Sequence, residues 1–224
     1  MDPWVRRLLL VEDEPLLASL MAQVLTDAGF AVRVCPDEVT GREAVATFDP
    51  DAALIDVHLG AGPSGLHLGF ALSQTHPDVG ILLLSRYTDL SAAGLDGWEL
   101  PPGSMFLPKH ELVDAPTLIA AIDRVVRGAS WTADDAEEGP LAGLTRTQLG
   151  TLRLVALGLT NAAIAEHRGT SERNVEQRLH SVYEALGITL DGRINPRVEA
   201  VRRYISAAGL PTEAGLVPST ADGP

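Results

Sequence analysis

The chain has 224 residues, 46% of them hydrophobic, and a formal net charge of -13. That supports one or two packed domains rather than a disordered chain, and the single cysteine, Cys35, excludes an intrachain disulfide framework and suits a reducing cytoplasm. No apolar run reaches the roughly 18 residues of a membrane span, and Leu8–Val11 is too short for a secretory leader, so neither a membrane nor export is expected.

Short apolar runs alternate with helical patterns through the first part of the chain. Leu8–Val11, Ala31–Cys35, Ala52–Ile55, Ile81–Leu84 and Met105–Leu107 read as strands. They are continuously apolar, as strands covered on both faces must be. Leu16–Ala28, Val39–Phe48, Leu66–Thr75 and Leu112–Arg127 read as amphipathic helices between or after them. A β-α repeat of this kind predicts a doubly wound, five-stranded parallel α/β sheet over residues 1–127. The fourth helix is expected to be short or irregular, because residues 88–103 contain Gly94, Gly97, Pro101, Pro102 and Gly103.

Residues 128–141 read as a linker, long enough for the domains either to dock or to separate. Thr145–Leu157, Asn161–Arg168, Ser171–Leu186 and Arg197–Ala208 then read as four helices without strands, giving an all-α domain over residues 142–208. Residues 209–224 read as a disordered tail. Charge divides the same way. Residues 1–140 hold 8 Lys+Arg against 22 Asp+Glu, whereas residues 141–207 hold 9 Arg against 6 acids, which suggests modules with different partners.

The chemistry gathers at strand ends. Leu8–Val11 runs into Glu12-Asp13, Ala52–Ile55 runs into Asp56, and Met105–Leu107 leads to Lys109, the chain's one lysine. In a sheet of order 2-1-3-4-5, strands one and three flank the crevice where ligands bind. Two carboxylates 4 Å apart repel by about 4 kcal/mol at an effective dielectric of 20, so the group needs a proton or a cation. Oxygen ligands without a Cys or His cluster favour Mg²⁺.

The strings LLLVEDEP, ALIDVHLG, LLLLS and MFLPK, in that order and spacing, resemble the receiver domain of two-component response regulators, a flavodoxin-like fold. The resemblance implies phosphorylation of Asp56. It implies Mg²⁺ held by Glu12, Asp13, Asp56 and the backbone carbonyl of His58, with Ser85 and Lys109 on the phosphoryl oxygens and Phe106 as the switch residue. A carboxylate nucleophile splits phosphoryl transfer into two steps, and positive charge beside it neutralises the transferring group. The chain departs from the family pattern at Gly60, in a lengthened 60–65 loop, at Phe106 in place of tyrosine, at His110 in place of proline, and in its degenerate fourth helix. A phosphatase with an aspartate nucleophile is disfavoured, because Asp56-Val57-His58 lacks a second aspartate as acid/base.

In the second module, Ser171 fits an N-cap and Glu172 suits the first turn. Val175, Leu179, Val182 and Leu186 share one side of the helix and are expected in the core. Arg168-Gly169-Thr170 fits the turn of a helix-turn-helix. The string LTRTQLGTLRLVALGLTNAAIAEHRGTSERNVEQRLHSVYEALGI resembles the LuxR-type DNA-binding domain, and the whole chain resembles the NarL/FixJ response regulators. Arg173, Asn174, Glu176, Gln177, Arg178 and His180 are the expected DNA contacts. Glu176 stands where the family usually has lysine.

The expected protein is a cytoplasmic, non-enzymatic transcriptional regulator. A sensor histidine kinase phosphorylates Asp56, and the chain then binds double-stranded DNA as a homodimer, with its last helix (Val198, Val201, Ile205) as a candidate dimer face. The alternative is a DNA-binding regulator whose receiver serves only as an interaction or ligand-sensing module. The acidic run Asp134-Asp135 and Glu137-Glu138 is an expected cover for the DNA face in the inactive state.

Overall fold

The computed structural model describes residues 5–60, 64–95, 97–128, 140–141, 143–190 and 192–211. The first unit is a five-stranded parallel sheet in the order β2-β1-β3-β4-β5. Its strands are β1 (Arg7–Val11), β2 (Ala31–Cys35), β3 (Ala52–Asp56), β4 (Gly80–Ser85) and β5 (Ser104–Pro108). Helices α1 (Pro15–Asp27), α2 (Glu38–Phe48), α3 (Ser64–Thr75) and α4 (Ala115–Arg127) cover its two faces.

Strand pleating explains why apolar runs without alternation are needed here. Successive side chains point to opposite faces. Leu9, Val11, Ala53, Ile55, Ile81 and Leu83 pack with Val45, Leu66 and Leu72 on one face. Leu8, Leu10, Ala52, Leu54, Leu82 and Leu84 pack with Met21, Leu25, Leu118 and Ile122 on the other. Caps set the helix starts: the Asp37 and Asp114 carboxylates accept from the Thr40 and Thr117 amides.

The expected fourth helix of the repeat is not formed. Between β4 and β5 the described residues make turns only. Gly94, Gly97 and Gly103 hold positive φ there, and a run of such residues cannot continue a right-handed helix.

The second unit contains α5 (Arg146–Ala156), α6 (Asn161–His167), α7 (Glu172–Ala185) and α8 (Pro196–Ala208). Val175, Leu179, Val182 and Leu186 are buried as their spacing predicts. Thr145 and Gln148 form a capping box on α5, and Ser171 caps α7 through the Asn174 amide. The last helix buries Ala200 and Tyr204 and leaves Val198 exposed. The Val198–Val201–Ile205 stripe, the candidate dimer face, is therefore only partly covered within the chain. Tyr204 joins Leu152 and Val182 in the core of this unit.

The two units are docked. The carboxyl ends of the strands hold the acidic pocket, and their amino ends meet the helical unit. The expected linker lies almost wholly outside the described residues, as do the acidic run at 134–138 and the tail from residue 212.

Candidate functional site

The expected acids do converge. Glu12, Asp13 and Asp56 each present a carboxylate oxygen, and these oxygens lie within 4.8 Å of one another. Glu12 and Asp13 follow β1 and Asp56 ends β3, two strands in direct register (Val11 beside Ile55). Glu12 and Asp56 are almost fully buried, while Asp13 is exposed. Lys109 Nζ donates to both Glu12 Oε2 and Asp56 Oδ2 at 2.8 Å.

The electrostatics follow from this crowding. Burial raises the Glu12 pKa; the Lys109 hydrogen bond opposes this, and the Asp56 charge reinforces it. Burial alone would lower the Lys109 ammonium, but Asp56 and Glu12 together raise it. Lys109 is thus a fixed cation, and the pocket holds more carboxylate than one ammonium balances. That donor set fits a hard divalent cation with oxygen ligands.

Backbone amides hold the carboxylates in place: Gly60 N–H donates to Asp13 Oδ2 at 2.8 Å and His58 N–H to Asp56 Oδ1 at 3.2 Å. Gly65 is required beside Asp56. A Cβ there would sit 1.7 Å from the Asp56 carbonyl oxygen, a backbone atom with no room to yield.

Ser85 ends β4 and is fully buried, its hydroxyl oxygen accepting from the Tyr87 amide at 3.1 Å. It is paired with Pro108, the residue before Lys109. Phe106 is partly buried against the core cluster that contains Leu83. The His58 ring stacks obliquely on Tyr87 at 5.5 Å, and among the described residues its Nδ1 is the buried side-chain nitrogen or oxygen without a hydrogen-bond partner.

The six expected DNA contacts lie on α7, but they are not equally accessible. Arg173, Glu176, Gln177 and His180 are exposed. Asn174 and Arg178 are buried, and Arg178 is only 1% exposed. Arg178 reaches into the loop between α2 and β3. Its Nη2 donates to Asp49 Oδ2 at 2.8 Å and its Nη1 to Asp51 Oδ1. Burial alone would lower the Arg178 guanidinium, yet Asp51 and Asp49 raise it overall. Asp49 caps α2 in the left-handed conformation (φ 48°). Burial would raise its pKa, but Arg178 and Arg168 hold it below the usual carboxylate range.

The contact extends around this pair. Thr147 Oγ1 donates to Asp51 Oδ1 at 2.6 Å, and Arg168 pairs with Asp78 at 3.1 Å. Asn174 Nδ2 donates to the Thr47 carbonyl at 3.1 Å, and Arg7 Nη2 donates to Gln177 Oε1. Sequence reasoning missed this clamp. Asp51 and Arg178 lie 127 positions apart, and no local pattern connects the two.

Response regulator receiver domain is the family that matches, over residues 8–95. A "Nitrate/nitrite response regulator protein homolog" of Haemophilus influenzae is 28% identical over 202 residues, covering 81% of this chain and 90% of that protein. A "Transcriptional regulatory protein YdfI" of Bacillus subtilis is 26% identical, over 86% and 92% respectively. A "DNA-binding transcriptional activator DevR/DosR" of Mycobacterium tuberculosis is 30% identical, over 62% of this chain and 68% of that protein. With the strand order, the acidic crevice and the bridging lysine already in place, these likenesses agree: the chain belongs to the response-regulator family.

Proposed function

We propose that the chain is a phosphorylation-controlled DNA-binding transcriptional regulator of a two-component system, of the NarL/FixJ type, with a LuxR-type helix-turn-helix as its output. The observation that carries this reading is the Asp56 carboxylate, buried between Glu12, Asp13 and Lys109 at a strand end. An Asp56 oxygen attacks the phosphorus of a phosphohistidine on a sensor kinase. The new O–P bond forms as the N–P bond breaks, and the imidazole leaves. Lys109, already aimed at Asp56, balances charge on the transferred group, and the Ser85 hydroxyl donates to one of its oxygens. Glu12, Asp13, Asp56 and the His58 carbonyl would hold Mg²⁺, which when bound screens the phosphoryl oxygens from the carboxylates.

In the docked state α7 is covered at Asn174 and Arg178, so it cannot enter a major groove. DNA binding then requires undocking, and the apparent DNA affinity falls in proportion to the undocked fraction. Once free, Gln177 and Asn174 are suited to adenine, Arg173 to guanine or phosphate, and Arg178 to phosphate. Glu176 weakens phosphate attraction and suits an acceptor role toward cytosine. A homodimer would match a two-fold site with half-sites about one DNA turn apart.

One observation favours the alternative, in which DNA binding ignores phosphorylation. The helix expected between β4 and β5, part of the family's relay surface, is absent among the described residues. DNA selection from a random pool decides between them, run with and without beryllofluoride and Mg²⁺ and repeated with Asp56→Ala. Enrichment that needs both the mimic and Asp56 supports the first reading. Equal enrichment in all arms supports the second.

A further inference from the structure

The seam between the two units encloses a cavity of about 170 Å³. One wall is the segment from the end of α3 towards β4, with His76, Pro77 and Asp78. The other is α5, with Arg153 and Leu154, and the end of α6. Neither unit forms the cavity alone. An apolar cavity of about 150 Å³ takes benzene, so this space suits one six-membered ring with small substituents. Pro77 and Leu154 give that ring apolar surface.

The charge of the lining is set by how Asp78 is held. Its Oδ2 accepts from Arg168 Nη1 at 3.1 Å. A Cβ at Gly150 would sit 2.1 Å from the same oxygen, which accounts for a glycine in the interior of α5, where that residue weakens a helix. Two guanidiniums, Arg153 and Arg168, therefore line the cavity against one carboxylate, Asp78. With His76 and His167 neutral, one positive charge is left over, and it suits a monoanion.

The hydrogen bonds also fix which nitrogen His76 offers. The Thr75 hydroxyl donates its one proton to the Ala71 carbonyl at 2.8 Å, so at 2.8 Å from His76 Nδ1 its oxygen accepts. Nδ1 therefore carries the ring proton. Burial, and after it the Arg168 charge, lowers the His76 pKa, which keeps the ring neutral. In a neutral ring protonated at Nδ1, Nε2 is an acceptor. The lining thus combines a cation, apolar surface and an acceptor nitrogen.

We infer that the seam cavity is a binding site for a small aromatic hydroxy acid, with its carboxylate on Arg153, its ring against Leu154 and Pro77, and its hydroxyl donating to His76 Nε2. Such a ligand touches both units at once and makes no use of Asp56. It is a chemical input separate from phosphorylation, and it stands or falls independently of the phosphoacceptor reading.

The test titrates the full chain by calorimetry with three probes: 4-hydroxybenzoate, benzoate and phenol. 4-Hydroxybenzoate is expected to bind one per chain, at least about threefold more tightly than benzoate, which lacks the hydroxyl, and at least about tenfold more tightly than phenol, which lacks the carboxylate. Arg153→Gln, at an exposed position, should weaken both acids at least about tenfold and leave phenol within about twofold. His76→Phe should bring the two acids to within about twofold of each other, because it removes only the acceptor. The probe series on the unaltered chain carries the test if His76→Phe does not fold. Asp56→Ala should bind all three probes as the unaltered chain does. No saturable binding of 4-hydroxybenzoate up to about 10 mM overturns the site, since ten non-hydrogen atoms in a fitting cavity reach the millimolar range. Binding that ignores Arg153→Gln, or equal binding of all three probes, overturns it as well.

Discussion

The two ends of the same sheet use charge in opposite ways. At the carboxyl end, three carboxylates within 4.8 Å face one ammonium, so negative charge is in excess. At the amino end, Asp49 and Asp51 meet Arg178 with Arg168 close by, so charge is nearly balanced. An unbalanced cluster is poised for a ligand that completes it. A balanced, buried one holds two pieces of protein in a defined arrangement and is costly to break from one side. The contrast shows that burial alone does not mark a binding site; the sign left over does.

Removing the reactive end is the most drastic way to sharpen this comparison. Asp56→Ala should abolish transfer of radiolabel from a phosphorylated histidine kinase domain while leaving thermal unfolding close to that of the unaltered chain. Labelling that persists in that variant would place the acceptor elsewhere. Gly65→Ala should come next, because its methyl group would overlap the Asp56 carbonyl. We expect a loss of at least about 3 kcal/mol in denaturant unfolding, or no soluble protein.

The clamp can be broken from one side or from both. Arg178→Ala strands Asp49 and Asp51 beneath the helical unit, and a cost of about 3–5 kcal/mol to the docked state is expected. Adding Asp49→Asn and Asp51→Asn should recover much of that cost, because no buried charge then lacks a partner. A double-mutant cycle followed by chemical unfolding measures the recovery; strict additivity would mean the pairs are not coupled.

Acid acts on the same end more gently. Asp49 is held below the ordinary carboxylate range in the docked state, so its contribution is complete above that range. It is lost as pH falls through the depressed value. Scattering profiles should therefore remain compact from neutral pH down to the usual aspartate range and expand only below it. At the bottom of the scale, Arg42→Ala removes an exposed i,i+4 pair with Glu38 and should change stability by no more than about 0.5 kcal/mol. A larger effect would mean that surface charge matters here as much as the buried clamp does.

Much of the fold was legible because two periodicities announce it. The five apolar runs matched the five strands to within a residue at each end, and Ser171 marked a helix start where it stands. The acidic pocket was legible because Glu12, Asp13, Asp56 and Lys109 each lie at or just past the carboxyl end of a strand, and parallel topology brings such positions together. On the last helix, Val198 lies on the stripe that its spacing defines and faces solvent, because the neighbouring helices contact the side that carries Ala200 and Tyr204. The degenerate segment from 88 to 103 was recognised as weak, and glycines at positive φ left it without a helix.

What the sequence determined by itself was local: which segments pleat, which coil, and which polar residues end them. Those properties depend on neighbours within one turn or one strand. Only the tertiary structure decided that Arg178, expected on DNA phosphate, instead lies 1% exposed against Asp49 and Asp51. The reason is physical. The energy of an ion pair depends on distance in space and on the water excluded around it, and neither is encoded by separation along the chain.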